Sequence, residues 1–253
     1  GIRDRLRSRG LGDVYKRQHG VYIRDNSNIL KLKTVSSDHN DVMIRTSGAL
    51  LNDLEDEAAD ANVTAKNIIL EAESAGTGEK ALTTNLVEDE TLPADQNSLT
   101  VQTDGAMNIH DIGTEGTAGV KAESKRECVS VKADRNLVIT GAKGTDVVLE
   151  AAGSLTAEEL KATGKVSAMV ENDIRITNNT GVAFKDLVSR KGGIDLVMNG
   201  NISIDHLAAP GLVNMTSTGQ IQAAAEGTLK LGGLKADDRI QLTASGDIVN
   251  GIP

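Results

Sequence analysis

The sequence predicts an all-β fold, a right-handed parallel β-helix (β-solenoid) of about ten coils. Three observations predict it: a recurrent pattern of apolar residues around a turn residue, a near absence of aromatic side chains, and an excess of glycine over proline. The pattern reads apolar, any, apolar, three mostly polar residues, a turn residue, any, apolar, any, apolar. It begins at Val21, Val42, Leu99, Val129, Val147, Val166, Ile194, Val213 and Ile240, with a degraded copy near Ile68. The first two apolar positions define the pattern, so the last two test it. Of those 18 positions, 15 are apolar, where the 39% hydrophobic composition would give about seven; the exceptions are Lys31, Asn52 and Asn250. The turn position is glycine in six copies of nine, Gly48, Gly105, Gly153, Gly200, Gly219 and Gly246, and Ser27, Arg135 and Asn172 in the rest.

Period-two alternation on both sides of a bend means two short strands with one buried face each. The bend calls for glycine where φ is positive or where another backbone passes close. Three intervals between copies are 18 or 19 residues, which sets the length of one coil, and the longer intervals read as coils lengthened by insertions. Stacked coils pair in parallel at roughly 4.8 Å, so ten would make a rod on the order of 50 Å. An antiparallel sandwich or barrel is the competing fold, and the pairs Asn199-Gly200, Asp104-Gly105 and Asn250-Gly251 could mark its hairpins. The bend, however, recurs at a fixed offset inside each copy while the variable lengths fall between copies, which favours the solenoid.

The aromatics are Tyr15, Tyr22 and Phe184, with no Trp. A core without aromatic bulk must be narrow and filled by Val, Ile, Leu and Ala. Glycine at 26 against proline at 3 fits many tight turns and not a disordered low-complexity chain. The net charge of −9 disfavours nonspecific nucleic-acid binding, which needs a basic surface. One cysteine, Cys128, excludes an intrachain disulfide framework and a cysteine-rich zinc site. No run of 18 apolar residues exists, as a membrane-spanning helix would require.

Two segments stand apart from the repeat. Residues 1–18 hold five Arg, one Lys and two Asp, whereas the rest carries 21 of the 27 basic and 34 of the 36 acidic residues. A basic tail for an acidic partner is one reading. The string GLGDVYKRQ resembles translated adapter sequence at the ends of reading frames assembled from environmental DNA, so 1–18 is set aside as non-native and 19–253 is taken as the solenoid domain. With neither an initiator Met nor a signal peptide, the chain reads as an internal fragment of a longer shaft. The acidic stretches LEDEAADAN at 54–62 and NLVEDETLPADQN at 85–97 read as solvated loops on coil corners. SLTAEELKATG at 154–164 carries Thr156 and Glu159 at capping-box spacing, yet Leu155 and Ala157 keep the strand register, which is preferred.

Candidate chemistry is sparse, and no catalytic, cofactor-binding or metal-binding residue is assigned. His110 and Asp111 follow a repeat strand, and Asp146 and Asp195 sit at repeat edges; converging, such acids could serve polysaccharide cleavage. Isolated corner acids are more often there for solubility. His19, His39, His110 and His206 show no paired metal-ligand spacing, and no calcium or phosphate loop is present. Cys128 alternates outward as an edge thiol. Asn172, Asn199 and Asn201 lie near turns, where stacked asparagines satisfy turn backbone.

The segments VVLEAAGSLTAEELKATGKVSA, IDLVMNGNISI, VNMTSTGQIQAAAEGTLKL and IQLTASGDIV resemble the repeat region of filamentous haemagglutinin-like adhesins and exoproteins of two-partner secretion, well over 120–253 and loosely over 20–119. That resemblance implies a structural shaft segment of a large secreted or surface-displayed bacterial adhesin. It would pass an outer-membrane secretion pore, mediate cell or surface adhesion through an unknown host or neighbouring-cell receptor, and need no cofactor, nucleic acid or integral membrane segment. It implies no enzyme, because the repeats have no catalytic residues to carry over. A β-helical polysaccharide-cleaving enzyme and a phage tail-spike segment are the alternatives.

Overall fold

A computed structural model describes residues 20–37, 40–55, 60–87 and 98–251, together with the backbone of Val14–Arg17. Among the described residues every regular element is a strand and there is no helix. The fold is a right-handed parallel β-helix, as the repeat predicted. Residues fall into two compact units divided between Arg135 and Asn136.

In the first unit, one face stacks the strands Gly20–Asp25, Asp41–Thr46, Ile68–Ala72, Ser98–Thr103 and Thr117–Ser124, all parallel. The second face is split in its early coils. Ile29–Leu32, Ala49–Asn52 and Ser74–Ala75 form one stack, and Val35–Ser37, Val63–Ala65 and Leu82–Leu86 form another. Met107–Asp111 pairs with both stacks, and Val129–Ala133 follows it. Val14–Arg17, within the segment set aside above, pairs antiparallel with Gly20–Asp25.

In the second unit, one face runs Asn136–Gly144, Leu155–Glu158 with Leu160–Ala162, Ile174–Asn178, Ile194–Met198, Val213–Ser217, Leu229–Ala236 and Ile248–Asn250. The other runs Val147–Ala151, Val166–Val170, Val182–Ser189, Ile202–Ala208, Ile221–Ala225 and Ile240–Ala244. SLTAEELKATG is strand, with Leu155 and Ala157 buried; Glu159, at φ 52°, separates its two short strands.

Two expectations about the repeat are corrected. The copies at Val21, Val42, Leu99, Ile194 and Val213 open strands of the first-named face of their unit, while those at Val129, Val147, Val166 and Ile240 open strands of the other face. The 28 residues from Val166 to Ile194 and the 27 from Val213 to Ile240 are therefore no insertions but about one and a half coils. The pattern describes a corner, and each coil has more than one. In the first copy the inward residues are Leu30 and Leu32, while Ile29 is 53% exposed. The bend there is one residue longer, and a one-residue slip exchanges the faces of a strand.

Among the described residues the core is aliphatic, with Phe184 its one buried aromatic ring. Bend glycines are required chiefly by stacking. Only Gly200 among the six has a positive φ, at 138°. A Cβ on Gly48 would lie 2.1 Å from the Asn28 carbonyl oxygen in the preceding coil.

Polar corners are tied along the stack. Asn67, Asn136, Asp146, Asp173 and Asn201 each stand just before the first inward residue of a strand, and each side-chain oxygen accepts the N–H of the matching residue one coil on, Ser98, Ser154, Lys165, Gly193 and Gln220, at 2.7 to 3.0 Å. Asn201 thus meets the expectation for turn asparagines, although it caps backbone and does not stack on asparagine. Asn199 accepts the Thr218 hydroxyl at 2.9 Å, and Asn172 is engaged through its carbonyl, which accepts the Ser189 hydroxyl at 2.5 Å.

Phe184 fills a slot between the Val166 and Ile204 positions of adjoining coils and is fully buried. Phe184→Ala is expected to cost about 3–5 kcal/mol through the cavity it leaves. A urea-denaturation midpoint unchanged from wild type would contradict that packing.

Candidate functional site

His110 and Asp111 are neighbours on Met107–Asp111, so alternation sends them to opposite sides of the strand. His110 faces out, with Nε2 2.9 Å from Asp134 Oδ1. Asp111 continues the inward series from Met107 and Ile109 and is fully buried. Arg135, at the turn position of the Val129 copy, continues the inward series of the next coil and enters beside it. Its Nε and Nη2 both donate to Asp111 Oδ2 at 2.8 Å. Nη1 also donates to the Glu115 carbonyl at 2.6 Å, and Nη2 to the Leu86 carbonyl at 3.0 Å.

Asp111 Oδ1 accepts the Leu86 N–H at 3.2 Å and the Thr84 hydroxyl at 3.3 Å. Burial pushes the Asp111 carboxyl above its ordinary value, opposed by the charge and hydrogen bonds of Arg135, the Leu86 N–H and Thr84. Gly113 makes room for the guanidinium, since a Cβ there would lie 2.5 Å from Arg135 Cζ. The pair is closed to solvent and has every partner inside the coil, so its work is to hold corners together.

The other acids do not join it. Asp146 caps Lys165, and Asp195 lies 3.8 Å from Arg175 Nε on an exposed face. Cys128 is exposed, as its register implied. His206 stands between Asp186 and Glu226 in the second unit, an arrangement that spacing alone did not disclose. His19 and His39, and residues 56–59 and 88–97 of the acidic stretches, lie outside the described residues. Asn62, expected in a solvated loop, is fully buried: its Nδ2 donates to the Leu32 carbonyl at 2.7 Å and its Oδ1 accepts the Thr83 N–H at 2.9 Å. That loop end is a peg between coils. Among the described residues no group of three His, Cys, Asp or Glu is placed to hold a metal ion.

The first unit does present a groove, of about 570 Å³, over the ends of its first-named face. Tyr22, Arg24, Asn26 and Gln102 line it together with four acids, Asp25, Glu71, Glu73 and Asp104. Each acid is engaged. Arg45 makes two contacts of 2.8 Å to Glu71, Lys125 Nζ is 2.6 Å from Asp104, Arg126 is 4.0 Å from Glu73, and Asp25 accepts the Ser27 N–H at 3.1 Å. Lys125 holds Asp104 below the usual carboxylate range, the reverse of what a general acid needs. No side-chain hydrogen bond or ion pair joins Arg24 to another described residue.

No family model, curated protein or solved structure matches the chain.

The buried pair yields a direct test. Asp111→Ala strands the Arg135 guanidinium and is expected to cost about 3–5 kcal/mol, whereas Asp111→Leu combined with Arg135→Met should recover most of that loss. Denaturation midpoints of the three variants check this, and a double variant no better than Asp111→Ala would show that the pair stabilises beyond hydrogen-bond satisfaction.

Proposed function

We propose that this chain is a structural shaft segment of a large secreted or surface-displayed bacterial adhesin, and that it is not an enzyme. The observation that carries the reading is the way polar side chains are engaged. Corner acids and amides cap the next coil, groove carboxylates are matched by cations or backbone, and the deepest charged pair is sealed inside. Continuous hydrogen-bond ladders and an aliphatic core suit a load-bearing element without disulfides. The resemblance of the repeat to filamentous haemagglutinin-like exoproteins supplies the adhesin and export parts of the proposal. A surface of excess negative charge would keep neighbouring shafts apart. The groove of the first unit, where the Arg24 side chain has no partner among the described residues, offers one place for contact with another surface.

The groove's four carboxylates also keep the β-helical polysaccharide-cleaving reading in view, and one set of experiments separates the two. Pulled end to end in an optical trap, the shaft should lengthen in steps of one coil, about 65 Å for 19 residues at 3.3–3.6 Å each. A single rip of the whole chain would count against it. Incubated with a panel of polysaccharides, the chain should release no new reducing ends. Release that is abolished by Glu71→Gln would replace the shaft with an enzyme, and a stable trimer in sedimentation would favour the tail-spike alternative.

A further inference from the structure

On one corner of the second unit, Val182–Ser189 and Ile202–Ala208 each carry a residue more than the strands beside them. The register shifts between Val166 and Ser167 on one side and between Ile204 and Leu207 on the other, while Asp186 stays opposite His206. Each extra residue turns two consecutive side chains outward, Lys185 with Asp186 and Asp205 with His206, between the buried Phe184 and Leu187 and the buried Ile204 and Leu207. Bulges of this kind re-aim side chains where a strand has a particular task.

The His206 ring is held from both ends. Nδ1 lies 3.2 Å from Asp186 Oδ1 in the preceding coil, and Nε2 lies 2.9 Å from Glu226 Oε2 in the following one. Ionised carboxylates only accept hydrogen bonds, so satisfying both contacts needs a proton on each ring nitrogen. Ser167 donates to Asp186 Oδ2 at 3.2 Å, which extends the chain Ser167–Asp186–His206–Glu226 over four successive coils. Of the other charged groups on this corner, Asp205 is paired with Lys165, and Lys185 makes no ion pair among the described residues.

We propose that His206 is a proton-controlled staple, which as an imidazolium ties its own coil to the coils before and after it and on losing a proton lets one of them go. The neutral ring has a single N–H, so one nitrogen would turn a lone pair toward a carboxylate. Glu226 and, to a smaller extent, Asp186 raise the ring's hold on its proton against partial desolvation, so its pKa in the folded chain lies above the ordinary 6.5. A histidine pKa raised on folding adds stability that is complete below the unfolded value and is lost as pH climbs through the folded one. The corner is therefore tight in mildly acidic surroundings and loosens in alkaline ones.

Histidine-ring nitrogen NMR of the full chain tests this, with His206→Gln used to assign the signal. Both ring nitrogens should be protonated at pH 6, the titration midpoint should lie above 6.5, and Glu226→Gln should lower it more than Asp186→Asn. In urea melts, the advantage of wild type over His206→Gln should be largest at low pH and vanish in alkali. A neutral tautomer at pH 6, a midpoint at or below the ordinary value, or an advantage that does not change with pH would each overturn the proposal. The wild-type titration and the Glu226→Gln shift decide the matter even if His206→Gln fails to fold.

Discussion

In stacked coils, strand N–H and C=O groups point along the stack, so each coil has its backbone satisfied only by the coils before and after it. That constraint governs the rest of the structure. Val21, Val42, Ile68 and Leu99 are matched one over another through successive parallel pairs, so a residue that faces inward in one coil has an inward neighbour in the next. Close stacking then selects residue types. Gly48 is glycine because the Asn28 backbone leaves no room for a Cβ, and not because of its own φ.

Where strands stop, the ladder leaves N–H groups without carbonyl partners, and a buried or half-buried donor left so is costly. Asn67, Asn136, Asp146, Asp173 and Asn201 answer this from one place in the coil, immediately before the first inward residue. Asn and Asp have the reach for it, since their oxygen stands about where a backbone carbonyl would. Many of the polar residues at corners are thus structural, which is why no ligand is needed to explain them. Asn178 carries the principle inside, accepting the Leu160 N–H at 2.8 Å and donating to the Leu160 carbonyl at 3.2 Å as a strand would.

Much of this could be read from the residues. Alternation about a bend gave the parallel coils, and the same alternation, continued two residues further, puts Asp111 and Arg135 inward in register with Met107 and Val129. The sole arginine at a repeat bend was the visible mark of the buried pair. What could not be read depends on counting across coils. The half-coil change of phase after Val166 looks like an insertion in one dimension. The extra residues that turn Asp186 and His206 outward have no local signature, since Lys185 and Asp205 break no propensity rule. His206 meets Asp186 and Glu226 each 20 residues away, at a distance that a degenerate repeat does not fix to one residue.

The same longitudinal rule bears on what such a molecule does well. Arg45–Glu71, Lys125–Asp104, Arg175–Asp195 and Lys191–Glu171 all join one coil to the next. Any one exposed pair is worth little in water, about 0–1 kcal/mol. They act along the same axis as the backbone ladders, however, and so against separation of one coil from the next. Catalysis asks for the opposite: groups left incompletely satisfied by the protein and aimed at one point outside it. In the groove, Glu71 and Asp104 are instead matched by Arg45 and Lys125 of an adjoining coil.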